Sequence, residues 1–223
     1  MIKSLFKNLK EPFCGLSHGL GVLLSLAGLI ALLVFARGKG WHLLAFSVYG
    51  ISLLTLYVAS TLYHSLRVSP RIEKCLARFD YCAIYFLIAG SYTPVCILAL
   101  GGAVGWTLLS AVWTLAISGI LACLFWKKNP AWLRMTLYLV MGWLVVFALS
   151  PLRAALPAAA IGWLTAGGVA YSVGAVILAM DRPHLWPGKF SAHDLWHLFV
   201  LGGSACHFVV MALFIAPLPL PAV

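Results

Sequence analysis

The sequence predicts an all-α integral membrane protein, a seven-transmembrane helix bundle with its N-terminus cytoplasmic and its C-terminus outside. Three observations carry that prediction. Of the 223 residues, 63% are hydrophobic and only 9% charged, whereas soluble chains run roughly 45–50% apolar and about 25% charged. Apolar runs recur at the length that crosses a bilayer, and the basic residues gather on one side of them. The same composition excludes disorder, which needs polar, charge-rich sequence. A disulfide scaffold is also excluded, because the six Cys at 14, 75, 82, 96, 123 and 206 are scattered, mostly inside apolar runs.

A bilayer core about 30 Å thick takes roughly 20 apolar helical residues at about 1.5 Å each. Such runs lie at Gly15–Ala36, Trp41–Tyr63, Asp80–Leu100, Val104–Trp126, Trp132–Leu149, Ile161–Met180 and Ser191–Ala216. Turn-forming residues punctuate them in order: Gly38 and Gly40, Pro70, Gly101 and Gly102, Asn129 and Pro130, Pro151 and Pro157, then Pro183 with Pro187 and Gly188. The runs are continuously apolar and do not alternate, so helices are predicted over barrel strands. Trp41, Trp106, Trp126, Trp132, Trp163 and Trp186 fall near span ends, where indoles anchor at the interface. The first apolar run is too long for the core of a cleaved signal peptide.

Lys3, Lys7, Lys10, Arg67, Arg71, Lys74, Arg78, Lys127, Lys128, Arg134, Arg182 and Lys189 share the side of the N-terminus. Only Arg37, Lys39 and Arg153 lie opposite. The positive-inside rule then orients the chain, a multi-pass protein of the cell (inner or plasma) membrane. The formal charge of +10 is topology signal and contact with anionic lipid. Nucleic acid is not an expected partner, since the chain has almost no soluble part. The expected organisation is a basic cytoplasmic segment (1–11), a seven-helix membrane domain (12–217) and a short external tail (218–223). The first segment is either an interfacial helix with one basic face or a solvated tail.

Ionisable groups inside a membrane are costly and need a reason. His64 closes the second span, Asp80 opens the third, and His193 and His197 lie in the first turns of the seventh. The topology places all four near the cytoplasmic boundary, with His18 at a similar depth. His193 and His197 are four apart, so they share a helix face with about 5–6 Å between β-carbons, which suits two imidazoles on one metal ion. Adding His64 gives the three protein ligands of an open zinc site, and the lack of a redox-type Cys or Met set favours zinc over copper or nickel. Asp80 is then a general base or an orienter of a ligating His; as an ordinary residue it would be a helix N-cap. Ser60, one turn before His64, either polarises a substrate carbonyl or hydrogen-bonds a partner helix. His207, about 15 Å deeper than His197, reads as a buried His or a cavity lining. His42 and His184 stay outside the group. Asp194 needs a partner, from another helix or from a loop cation, for which Arg182 and Lys189 are candidates, and Arg134 is expected to snorkel. The intramembrane glycines, among them Gly28, Gly50, Gly90, Gly119, Gly142 and Gly174, read as packing positions. Pro94 is expected to kink the third span.

The segments Ser60-Thr61-Leu62-Tyr63-His64, Asp80 with Ser91-Tyr92-Thr93-Pro94, and His193-Asp194-Leu195-Trp196-His197 with His207-Phe208 resemble, in that order, the hemolysin III family. Glu11 and His18 fit that family's first motif. The family is similar to the progestin and adipoQ receptors, which include the adiponectin receptors. The resemblance implies seven helices, a cytoplasmic N-terminus, and a zinc ion held by His64, His193 and His197, with Asp80 reaching it through water and Ser60 beside it. It also implies a link to alkaline ceramidases and hence to ceramide-type hydrolysis. Two positions depart from the family pattern: Tyr81 stands where many members have His, and Asp194 where many have Glu.

The function expected first is a zinc-dependent hydrolase of a lipid amide or ester, with membrane lipid as substrate or ligand. Asp80 and Ser60 are its catalytic candidates. A non-enzymatic, receptor-like regulator of membrane homeostasis with structural zinc is the alternative. A pore-forming cytolysin is a third reading, and the chain's lack of a soluble form argues against it.

Overall fold

The computed structural model describes residues 9–126, 128–183, 185–186 and 190–219. Seven helices are long and apolar enough to cross a membrane: α1 (Pro12–Phe35), α2 (Gly40–Ser65), α3 (Pro70–Leu100), α4 (Gly102–Phe125), α5 (Ala131–Ala155), α6 (Ala158–Met180) and α7 (Ala192–Ile215). Among the described residues there is no strand. His184, Pro187, Gly188, Lys189 and nearly all of the N-terminal basic segment lie outside the described residues.

The main difference from the sequence reading is at α3, which begins at Pro70 rather than Asp80. Arg71, Glu73, Lys74 and Arg78 therefore belong to the helix. Charged residues end an apolar run, but they do not end a helix whose backbone bonds are already satisfied internally. Pro94 cannot donate to the preceding turn, and from Val95 to Leu100 the helix widens to a π-helix. Gly101 and Gly102 then turn the chain with φ of 59° and 47°, a region open to Gly at little cost. In α5 the backbone tightens to a 3₁₀ turn over Leu144–Ala148. Tyr92 serves the groups this break frees: its Oη donates to the carbonyls of Met141 and Gly142 at 2.8 and 2.9 Å and accepts from Val145 N–H at 2.9 Å.

Neighbours in sequence pack together (α1 on α2, α2 on α3, α3 on α4, α6 on α7), and α7 closes back onto α1. Lipid gives helices no hydrophobic reason to associate, so close approach depends on small residues. A side chain at Gly50 would press into Leu29, at Gly90 into Ser52, at Gly119 into Tyr85 and at Gly174 into Trp196 and Phe199. Gly142 departs from the expectation, having open space where its Cβ would stand. Large apolar side chains face outward, Phe147 at 88% and Phe125 at 76% exposure, as a surface meeting acyl chains requires. Trp106, Trp126, Trp132, Trp163 and Trp186 are exposed near helix ends.

α5 makes the sparsest contacts of the seven. The space it leaves is a cavity of about 420 Å³, walled by every helix except α4. His18, Ser60, Asp80, His193 and His197 line one end, and His207, Tyr171 and Arg153 also contribute to the wall. Most of the remainder is apolar, including Leu56, Ile84, Leu87, Val145, Leu164 and Val200.

Candidate metal centre

α7 starts where its own sequence stops it from sliding. Ser191 is the N-cap, its Oγ accepting from Asp194 N–H at 3.2 Å, while Asp194 Oδ2 accepts from Ser191 N–H at 2.7 Å and Ser191 Oγ–H at 2.8 Å. This reciprocal capping fixes the first turn and with it the phase of His193 and His197. Their ring centroids lie 5.1 Å apart. His64, in the last turn of α2, brings a third ring 4.9 Å from His193 and 4.7 Å from His197.

Cys14, in the first turn of α1, completes the group. One donor atom from each of Cys14, His64, His193 and His197 can be chosen so that all lie within 4.8 Å of one another. Cys14, His64 and His197 are buried and His193 is half-buried. The structure thus brings together the three imidazoles named from sequence and adds a thiol that sequence reasoning had set aside with the scattered cysteines. Only its place one turn before His18 hinted at this face.

A carboxylate only accepts hydrogen bonds, so His64 Nδ1–H donates to Glu11 Oε2, at 2.6 Å. That fixes the tautomer and leaves the Nε2 lone pair free, the arrangement that carboxylates impose on metal-binding His. Glu11 is held by its backbone, whose N–H donates to the His64 carbonyl at 2.8 Å. The bond from His64 holds the Glu11 carboxyl below the usual Glu range. Lys10 pairs with Glu73 at 2.8 Å and lies 4.0 Å above the Tyr63 ring. Partial burial pushes its pKa down, but the bond to Glu73 and nearby acidic groups outweigh this and raise it.

His18 is buried and shares a 2.8 Å hydrogen bond, through Nδ1, with Ser60 Oγ. Its Nε2 is buried and has no hydrogen-bond partner among the described residues, so the proton belongs on Nδ1, where no N–H is orphaned. His18 then donates to Ser60, whose own proton is left for the Asp80 carboxyl beside it in the cavity wall. The His18 ring also stacks on His197, centroids 3.8 Å apart.

Asp80 is buried and lines the cavity beside these groups. It lies ten residues inside α3, so the N-cap reading does not apply. His207 lines the cavity, and His42 sits buried in the first turn of α2, apart from the cluster. Asp194 answers to Ser191 and to Cys14 Sγ–H, which donates to its Oδ1 at 3.1 Å, so its partner from another helix is a thiol; of the two candidate cations, Lys189 lies outside the described residues. Arg134 donates to the carbonyl of Asn129, in the loop before α5, and lies over the Tyr81 ring.

Residues 6–208 match the family model described as haemolysin-III related. The chain belongs to that family. It is 42% identical to Hemolysin-3 of Bacillus cereus over 91% of this chain and 90% of that one. It is 41% identical to a Hemolysin-3 homolog of Bacillus subtilis (strain 168) over 96% and 99%. A more distant relative, the adiponectin receptor protein of Drosophila melanogaster, is 28% identical over 74% of this chain and 41% of that protein. With seven spanning helices, this haemolysin-III related chain is an integral membrane protein.

Proposed function

We propose that the chain is a metal-dependent hydrolase of a lipid amide or ester, working inside the membrane at the His-lined end of its cavity. One observation carries the reading: His193, His197, Asp80 and Ser60 all line the same mostly apolar cavity among spanning helices. A drug-sized or acyl ligand needs this kind of space, apolar walls with a few convergent polar groups.

The residues fit a zinc ion. The donors are imidazoles, one is oriented by a carboxylate, and His197 Nδ1 is buried without a partner among the described residues. His64, His193 and His197 would hold the ion, which when bound supplies a Lewis acid that acidifies water and polarises a carbonyl. The protein's own groups do the rest. Asp80 takes the proton of the attacking water as the new C–O bond forms, and passes it to the leaving amine or alcohol as the scissile bond breaks. Ser60, its proton freed by the donation from His18, holds the developing oxyanion. With the N-terminus cytoplasmic, the scissile bond lies near the inner leaflet headgroups and the acyl chain runs along the cavity.

A second reading is favoured by the spread of the donors over α1, α2 and α7: a structural metal clamp in a receptor-like protein. The experiment that separates them is metal analysis of the purified protein with untargeted lipid turnover, wild type against Asp80→Asn. Turnover lost in a variant that keeps its metal and its fold supports the hydrolase. A wild-type protein that binds metal and turns over no lipid sinks it in favour of the clamp.

A further inference from the structure

We propose that Cys14 is a fourth metal ligand, its thiolate completing a Cys–His₃ set from α1, α2 and α7. This rests on the metal reading above and goes beyond its three imidazoles. Cys14 Sγ shares the compact cluster with donor atoms of His64, His193 and His197, all within 4.8 Å. In a tetrahedral zinc site, bonds of about 2.3 Å to sulfur and about 2.0–2.1 Å to nitrogen put the donors roughly 3.3–3.6 Å apart. Side-chain adjustments of about an ångström bring the observed cluster to that size.

Burial and charge argue the same way. Cys14 is 2% exposed, and its Sγ–H is directed at Asp194 Oδ1, 3.1 Å away, which leaves sulfur lone pairs for other partners. A divalent cation in a low-dielectric setting needs compensating anions. The Glu11 carboxylate on His64 and the Asp80 carboxylate at the cavity wall supply charge nearby, and a Cys14 thiolate supplies it directly at the metal. Asp194 is balanced separately, by the two donors of Ser191 and by the positive end of α7. On ligation the S–H bond breaks, the metal–sulfur bond forms and one proton leaves to solvent, with Asp194 Oδ1 the nearest acceptor on its way.

The position of Cys14 also says what the ligand leaves open. His193 and His197 line the cavity, but among its lining residues neither Cys14 nor His64 appears. A metal held by these residues would be reached by water or a substrate carbonyl through the cavity that His193 and His197 line. A soft thiolate also selects zinc and cobalt over magnesium or manganese.

The test is cobalt substitution of the whole protein in detergent, read by absorption. Wild type is expected to show visible ligand-field bands and a near-ultraviolet thiolate-to-cobalt charge-transfer band. Cys14→Ser is expected to lose the charge-transfer band and keep the visible bands, while Cys206→Ser keeps both. Visible bands with no charge-transfer band in wild type overturn the Cys14 proposal and leave the three-His site standing. No bands at all overturn the metal reading itself. Should Cys14→Ser fail to fold, X-ray absorption at the metal edge of the wild-type zinc protein decides alone: a sulfur scatterer near about 2.3 Å supports the ligand, and a shell of nitrogen and oxygen only removes it.

Discussion

Glu11, at the threshold of α1, holds its carboxylate 2.6 Å from Nδ1 of His64, at the close of α2. The two residues are also joined through their backbones, Glu11 N–H donating to the His64 carbonyl. The contact fixes which ring nitrogen of His64 is left for a metal, and it does so from a residue that the apolar pattern places just outside the first span.

Glu11→Gln keeps the shape and removes the charge. Outer hydrogen-bond partners of metal-binding His are worth about 10–100-fold in affinity, so zinc affinity is expected to fall by that factor. Competition with a chromogenic chelator measures it. Unchanged affinity would mean that Glu11 does not tune the site.

Metal removal should destabilise the bundle, because the donors join three helices. At free metal a hundred times its Kd, binding contributes about 2.7 kcal/mol to the folded state. A chelator is therefore expected to lower Tm in detergent. In His64→Ala the chelator should have little further effect; an equal drop in that variant would place the metal elsewhere.

Gly119 packs its backbone on the fully buried Tyr85 ring, which is itself wedged 4.5 Å from Tyr138. Gly119→Val overfills this contact and should cost about 1–3 kcal/mol, seen as a lower Tm. Because the metal cluster draws no ligand from α4, zinc content of the folded fraction should not change.

Leu164 lines the cavity from α6. Leu164→Trp is expected to exclude a fluorescent fatty-amide probe while leaving zinc content and Tm close to wild type. Probe binding that survives the bulky ring would show that acyl chains are held somewhere other than this cavity.

Much of the site could be grouped from sequence by depth alone. Once spans are oriented, each residue has a level in the membrane, and His64, His193, His197, Asp80 and His18 share one. Depth says nothing of azimuth, however. It could not show that Cys14 turns toward α7 to meet Asp194, nor that His18 turns toward Ser60. It also misread Asp80 as a helix start, because hydropathy marks where lipid ends while α3 continues to Pro70. Charge alone left Asp194 open to another helix or a loop cation, and its oxygens meet the local capping geometry of Ser191 and, on another helix, a thiol 180 residues away in the chain.

By itself the sequence determined the class, the number of spans and the separation of basic from apolar segments. Each of these follows from transfer between water and lipid, which acts residue by residue along the chain. Only the tertiary structure decided which helix faces meet, where the loosely held α5 leaves a cavity, and which donor atoms converge. Those depend on close contacts between glycine-backed helices and on hydrogen bonds between residues far apart in sequence, and no one-dimensional pattern encodes their directions.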